Sequence, residues 1–224
     1  MRKLLKGIIE FRKNLSPEFR DTFARLALAQ KPDALYLTCS DSRVAVNVFA
    51  STDPGDLFVV RNVGNLVPPC GSENVSKGDV SEAAAIEFAL LNLSVRDIII
   101  CGHSECGAMQ AIAGRYTSVT SPNLRLWLRQ GGEGAYERLY RNGAMDASLA
   151  LPNQLSQVNV LEQLDHLMTY PMVRERVTEG KLSLHGWWFD IALATVNTYN
   201  PDIGRFVPIN ETEVERILAR MQRS

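Results

Sequence analysis

The chain is poor in sulfur and in imidazole: its 224 residues include four cysteines and three histidines. Four cysteines are too few for a disulfide scaffold at this length. No Cys-x-x-Cys pair occurs, which counts against a thioredoxin-like redox motif. A dominant charge is also lacking, since 24 basic residues face 25 acidic ones for a net charge of -1. No basic field exists to draw nucleic acid or an anionic membrane surface. No apolar run approaches the roughly 20 residues that span a bilayer. The opening stretch "MRKLLKGIIEFRK" starts basic, but Lys6 and Glu10 interrupt it and no small-residue cleavage site follows. It reads as an amphipathic helix rather than a secretory signal. Repeats and low-complexity segments are missing too. These absences lead us to expect a soluble, reduced, cytoplasmic protein with neither nucleic acid nor membrane as a partner.

What the chain does have is apolar residues, 46% of the total, enough for a sizeable core. Two helices are expected first, over Arg2 to Lys13 and, behind Ser16 as cap and Pro17 as first helical residue, to about Ala29. The period then changes. "ALYLTCS" (Ala34 to Ser40), "DLFVVRNVG" (Asp56 to Gly64) and "RDIIICGH" (Arg96 to His103) are short, apolar and β-favouring. Between the last two, "SEAAAIEFALLNL" is a helix pattern with Ser81 as its expected cap. Strands alternating with helices predict a parallel sheet covered on both faces. Helices are then expected over Pro122 to Gln130, Glu133 to Asn142, Gln154 to Tyr170 and Pro171 to Glu179. "KLSLHGWWFDI" and "ATVNTYN" look like a strand pair, and "NETEVERILARMQ" like a closing helix capped by Asn210. The fold class expected is α/β: a mostly parallel β-sheet flanked by helices, with N-terminal helices and a C-terminal strand extension. No linker divides it, so residues 1–224 form one expected domain.

Chemistry concentrates at two strand ends, where sites in such sheets gather. In "CGHSECGAM", His103 and Cys106 stand three apart at a strand-to-helix turn. Imidazole and thiolate are preferred ligands of zinc, but two ligands hold a metal poorly. Cys39, at the end of another strand, is the natural third; Cys101 competes, although its place inside an apolar run suits a buried small hydrophobe. Cys70 follows Pro68 and Pro69 in a loop. "CSDSR" adds Asp41 and Arg43, a carboxylate beside a guanidinium fork that can bind it bidentately and keep it ionised. Three protein ligands leave a fourth position open, the arrangement of catalytic zinc. His103-Ser104-Glu105 also matches half of a zinc-deaminase motif, but the Pro-Cys-x-x-Cys half is missing because position 73 is Glu73. A closed structural zinc module would need a fourth good ligand. His166 and His185 read as structural histidines, and the adjacent Trp187 and Trp188 must point to opposite faces of their strand.

"CSDSRV" together with "GHSECGAM" resembles the β-class carbonic anhydrases, and the likeness extends over nearly the whole chain, through "PGDLFVVRNVGNLVPP", "AAAIEFALLNL" and "LSLHGWWFDI". The resemblance implies one Zn2+ per subunit on Cys39, His103 and Cys106, with Asp41 and Arg43 as a catalytic dyad. It implies reversible hydration of carbon dioxide to bicarbonate, in a homodimer or homotetramer with the site at a subunit interface. Residues 1–30 would be a helical arm packing on a partner subunit. Gln30 matches a glutamine that binds substrate oxygen from across the interface, and Phe58, Val63 and Phe88 match the apolar pocket lining. Phe88 stands where a tyrosine is often found. Tyr36 stands where members with an Asp-closed site carry tryptophan, and with Gln30 present an open site is expected. A hydrolase of carbonyl sulfide or carbon disulfide on the same zinc scaffold is the alternative.

Overall fold

The computed structural model describes residues 1–221. The elements follow in the order α1 (Arg2–Asn14), α2 (Pro17–Leu26), β1 (Ala34–Cys39), α3 (Val46–Phe49), β2 (Leu57–Asn62), α4 (Ser81–Leu91), β3 (Asp97–His103) and α5 (Gly107–Ala113). Then come α6 (Pro122–Asn142), α7 (Leu151–Met168), α8 (Pro171–Thr178), β4 (Ser183–Asp190), β5 (Thr195–Asn200), β6 (Arg205–Pro208) and α9 (Glu211–Met221). The expected closing helix reached Gln222, which lies outside the described residues. One six-stranded sheet runs in the order β2-β1-β3-β4-β5-β6. Its first four strands are parallel, and β5 and β6 are added antiparallel.

Residue type explains the placement. β1 is buried at all six positions, as a central parallel strand with both faces covered must be. β2, at the edge, keeps Val59 and Arg61 exposed. On one face, Leu35, Leu37, Ile98 and Ile100 pack with Ile86, Ala89 and Leu90 of α4 and with Val160 and Leu167 of α7. The other face carries a smaller cluster around Tyr36, Ile99, Cys101 and Phe189, over which Val46 and Phe49 of the short α3 close. A third cluster joins α5, α6 and α7 around Met109, Ile112, Leu128 and Leu155, and Cys39 and Cys106 belong to it. The helical arm differs from the rest: no residue of α1 or α2 is buried. Leu4, Leu5, Ile8, Ile9 and Phe11 are at least half exposed. Phe11 meets Phe23 edge-on at 6.3 Å between ring centroids.

Several boundaries differ from expectation. The two helices expected on either side of Gly131 and Gly132 are one continuous α6. These glycines are there for contact, not as breakers: a Cβ at Gly131 would stand 2.8 Å from Leu66 Cβ, and one at Gly132 would stand 2.4 Å from Ile112 Cδ1. The close approach sets α6 against α5 and the loop after β2. Ser81 is not the cap of α4; it is the first helical residue, and its backbone N–H donates to Asp79 Oδ1 at 2.8 Å. α2 stops at Leu26, three residues short of Ala29. The strand β6 was not anticipated, because four residues leave too short a pattern to see. Ser16 and Asn210 do cap their helices, accepting from Phe19 N and Glu213 N at 3.2 and 3.0 Å.

Gly131→Ala should therefore lower stability. Alanine favours a helix by about 1 kcal/mol, but overpacking against Leu66 costs about 1–3 kcal/mol. Thermal denaturation should show a lower midpoint for the variant; an unchanged or higher one would mean that Leu66 yields freely.

Candidate metal centre

Parallel pairing of β1 with β3 sets Thr38 against Cys101, so Cys39 and His103 leave the sheet side by side at its carboxyl end. The side-chain hydroxyl of Thr38 donates to Cys101 O at 2.9 Å and fixes that register locally. Two residues beyond His103, Glu105 adopts a left-handed φ of 55°, turning the chain so that Cys106 becomes the N-terminal flank of α5. Donor atoms of Cys39, His103 and Cys106 all lie within 4.8 Å of one another, and all three residues are buried. Tetrahedral ligation at about 2.3 Å for sulfur and about 2.0 Å for nitrogen sets such atoms roughly 3.5–3.8 Å apart, so the cluster suits one ion.

The imidazole is prepared for that role. His103 Nδ1 lies 2.8 Å from Ser104 O and donates to it. That contact places the ring's lone pair on Nε2, which is buried and has no hydrogen-bond partner. A polar atom wholly buried and unpaired is costly unless something else meets it. The two sulfurs are equally suggestive. The Cys39 and Cys106 sulfurs lie within 4.8 Å of each other, and this proximity pulls the Cys39 thiol down and pushes the Cys106 thiol up; Cys39 Sγ also accepts the Gly64 N–H at 3.4 Å. Thiolates are what a divalent cation binds, so ligation by these two sulfurs would release their protons. Cys101 is excluded from the set: burial pushes its thiol up to about 12, and it packs in the cluster on the face of Tyr36. Cys70 is buried in the cluster beneath α4 and α7, away from the three donors.

Asp41 and Arg43 meet as expected. Arg43 Nε donates to Asp41 Oδ1 at 2.9 Å and Nη2 to Oδ2 at 2.7 Å, while the Arg43 backbone N–H reaches Oδ1 at 2.9 Å. The guanidinium bonds hold the Asp41 carboxyl well below the usual carboxylate range. Asp41 Oδ2 stands 4.0 Å from His103 Nε2, at the rim of the donor cluster. Three further hydrogen bonds brace the dyad: Arg43 Nη2 donates to Glu105 O at 3.0 Å, and Arg61 donates to Asp41 O and Val44 O, both at 2.8 Å.

The predicted pocket residues divide. Val63 lies beside the centre, directly before Gly64, and its carbonyl accepts from Trp127 Nε1 at 2.7 Å. Phe58 pairs with Leu35, four residues back from Cys39, or about 13 Å along the strand. Phe88 tilts against Phe58 with 5.8 Å between centroids, and it is 42% exposed. Gln30 is exposed and precedes β1, at the opposite end of that strand from Cys39. The single chain thus gathers the three donors, the dyad and Val63, and leaves Gln30, Phe58 and Phe88 apart from them.

Sequence reasoning missed the support from α7. Asn153 ties Glu105 down through its backbone N–H and its carboxylate, Ser156 Oγ donates to His103 O at 2.7 Å, and Asn159 Nδ2 donates to Gly64 O at 3.1 Å. A signal existed: Ser156, Asn159 and Gln163 are spaced three and four apart, one helix face, and all are buried. His166 and His185 are satisfied structurally, by Val67 O at 2.7 Å and Asp97 Oδ1 at 2.7 Å. Trp188 is buried and donates to Ser156 Oγ at 3.1 Å, while Trp187 faces Tyr36 on the other side of the sheet.

Comparison with known proteins agrees with this geometry. Residues 34–196 match the family model described as carbonic anhydrase. A carbonic anhydrase of Pseudomonas aeruginosa is 37% identical over 216 residues, covering 94% of this chain and 93% of that protein. One from Synechococcus elongatus is 38% identical over 192 residues, covering 85% and 68%. Among solved structures, the β-carbonic anhydrase CcaA superposes with a TM-score of 0.84 at 35% identity over 94% of this chain and 92% of that one. A tetrameric β-carbonic anhydrase from Sordaria macrospora gives 0.68 at 30% identity, covering 88% and 92%. These findings lend no support to a carbonyl sulfide or carbon disulfide hydrolase. By fold, by site and by kinship, the chain belongs to the β-class carbonic anhydrases, which are lyases.

Proposed function

We propose that this chain carries one zinc ion on Cys39 Sγ, His103 Nε2 and Cys106 Sγ, and that it interconverts carbon dioxide and bicarbonate there. The observation that carries the reading is the buried, unpartnered His103 Nε2, which lies within 4.8 Å of two buried cysteine sulfurs. Bound zinc would supply Lewis acidity that brings the ionisation of water toward neutral pH. The rest falls to the protein. Asp41, held ionised by Arg43, can only accept a hydrogen bond. From the rim of the centre it would accept a hydrogen bond from a protonated nucleophile and so orient it toward the substrate. Three Arg43 N–H groups occupy the carboxylate, so ligation of the metal by Asp41 would break bonds already made. This favours an open site.

The apolar wall is completed by a second copy in this reading. Half-buried Phe58 and exposed Phe88 form an aromatic pair with no role in their own centre, and carbon dioxide, lacking a dipole, suits such a wall. The partly exposed stripe of Leu4, Leu5, Ile8 and Ile9 on α1 gives the arm a face to bury on that copy. No helix among the described residues is long and apolar enough to cross a membrane. The four unpaired thiols suit a reducing compartment such as the cytoplasm.

Stopped-flow hydration of carbon dioxide should be fast with one zinc per chain and collapse on chelation; turnover that survives complete zinc removal would refute the reading. Asp41→Asn should keep zinc content but cut turnover by about 100-fold or more, and unchanged turnover would remove Asp41 from the mechanism. Arg43→Ala lets the Asp41 pKa rise toward the ordinary value of about 3.9, still far below neutrality. Turnover should then fall through lost orientation, with no new acidic limb near pH 7 in the pH–rate profile; such a limb would mean that ionisation was what Arg43 supplied. Replacing Leu5 and Ile9 together by Glu should shift the sedimenting species to smaller size and lower turnover, while zinc stays bound.

A further inference from the structure

The polar face of α7 continues past the site into a closed chain of hydrogen bonds. Asn159 Nδ2 donates to Gly64 O at 3.1 Å, and Asn159 Oδ1 accepts from Gln163 Nε2 at 2.9 Å. Gln163 Nε2 also donates to Gly131 O of α6 at 3.0 Å, and Gln163 Oε1 accepts from Val67 N at 2.7 Å. His166 Nδ1 donates to Val67 O at 2.7 Å. Asn159 and Gln163 are fully buried. Residues 64–67 are thus gripped at both ends by two buried amides, and Asn62 adds a second grip on Leu66 N and O, both at 2.8 Å.

The loop they hold turns through left-handed backbone, which glycine and asparagine accept most readily. Gly64 has φ +90° and Asn65 φ 47°, two successive left-handed residues. A Cβ at Gly64 would meet Ala108 Cβ at 2.9 Å, so the loop also presses directly on α5, which carries the Cys106 turn. The product of this conformation is a single contact: the Gly64 N–H aimed at Cys39 Sγ at 3.4 Å. A hydrogen bond to a thiolate withdraws electron density from sulfur and weakens its donation to a metal, a recognised way for the surroundings of a ligand to tune a site.

Resting on the zinc reading above, we propose that Asn159 and Gln163 are positioning residues: through the 64–67 loop they fix the Gly64 N–H against Cys39 Sγ and so set how strongly that sulfur donates to the metal. Neither touches substrate or metal. An apolar pair in their place would leave Gly64 O, Val67 N and Gly131 O without these partners, so the two amides are what holds this loop against α6 and α7.

The test compares wild type, Asn159→Ala and Asn159→Asp, the last keeping the acceptor toward Gln163 while losing the donor toward Gly64. Leu167→Ala serves as the control, because Leu167 is a fully buried residue of the same helix that packs in the cluster under the sheet. Cobalt-loaded protein reports the sulfur directly through its thiolate-to-metal charge-transfer band. Amide hydrogen exchange over residues 62–68 reports the loop, with or without metal. The expected result is a charge-transfer band at lower energy in both Asn159 variants and exchange over 62–68 faster by about tenfold, the effect of one lost buried hydrogen bond. Leu167→Ala should lower the melting point and move neither. The proposal is overturned if either readout stays at its wild-type value in folded variants, or if Leu167→Ala moves both. If Asn159→Ala does not fold, Asn159→Asp and Gln163→Glu decide the same question. A wild-type chain that takes up cobalt with no thiolate band would sink the zinc reading instead, and the exchange difference would still judge the clamp.

Discussion

The pairing of β1 with β3 is the constraint on which the rest depends. Two parallel strands in the register Thr38 to Cys101 bring Cys39 and His103 to the same edge of the sheet although 64 positions of sequence separate them. Shift that register by one residue and every β1 side chain would exchange faces, sending Tyr36 and Leu37 to the wrong clusters. The apolar residues of β1 and β3 thus fix the Cys39–His103–Cys106 cluster indirectly. Ile98 and Ile100 must face α4 and α7, Ile99 and Cys101 must face α3, and the ends of the strands follow.

Around that fixed point the chain spends strained or costly features freely. Glu105 and Gly64 take left-handed backbone, one to turn Cys106 toward His103 and the other to direct an N–H at Cys39. His103 Nε2 is left without a protein partner. Such features cluster where function requires them and are held there by their surroundings. Here the surroundings are α7, whose Asn153, Ser156 and Asn159 each reach a different backbone segment of the centre. One helix therefore supports the β3 end, the Cys106 turn and the 64–67 loop together.

Much of this was legible in the sequence. The apolar runs from Ala34, Asp56 and Arg96 announced the parallel strands, and the pair "CSDSR" and "GHSECGAM" pointed to residues that the fold does bring together: Cys39, His103 and Cys106 in one buried group, and Asp41 hydrogen-bonded to Arg43. What could not be read has physical causes. Gly131 and Gly132 look like a helix break in sequence, because the close approach of Leu66 and Ile112 that explains them is a tertiary fact. Asn159 and Gln163 read as solvent-facing side chains of a helix until their carbonyl and amide partners, nearly a hundred residues away, are known. Phe58 and Phe88 were read by likeness as pocket lining; the strand register leaves them about 13 Å from Cys39 within the chain, so their place in a pocket depends on a second copy.

The central claim is a metal held by two sulfurs and one imidazole nitrogen. X-ray absorption at the zinc edge of the loaded protein tests it most directly. The account predicts two sulfur scatterers at about 2.3 Å and two light scatterers near about 2.0–2.1 Å, one with the outer-shell pattern of imidazole. A shell with fewer than two sulfurs, or with no imidazole signature, would contradict it.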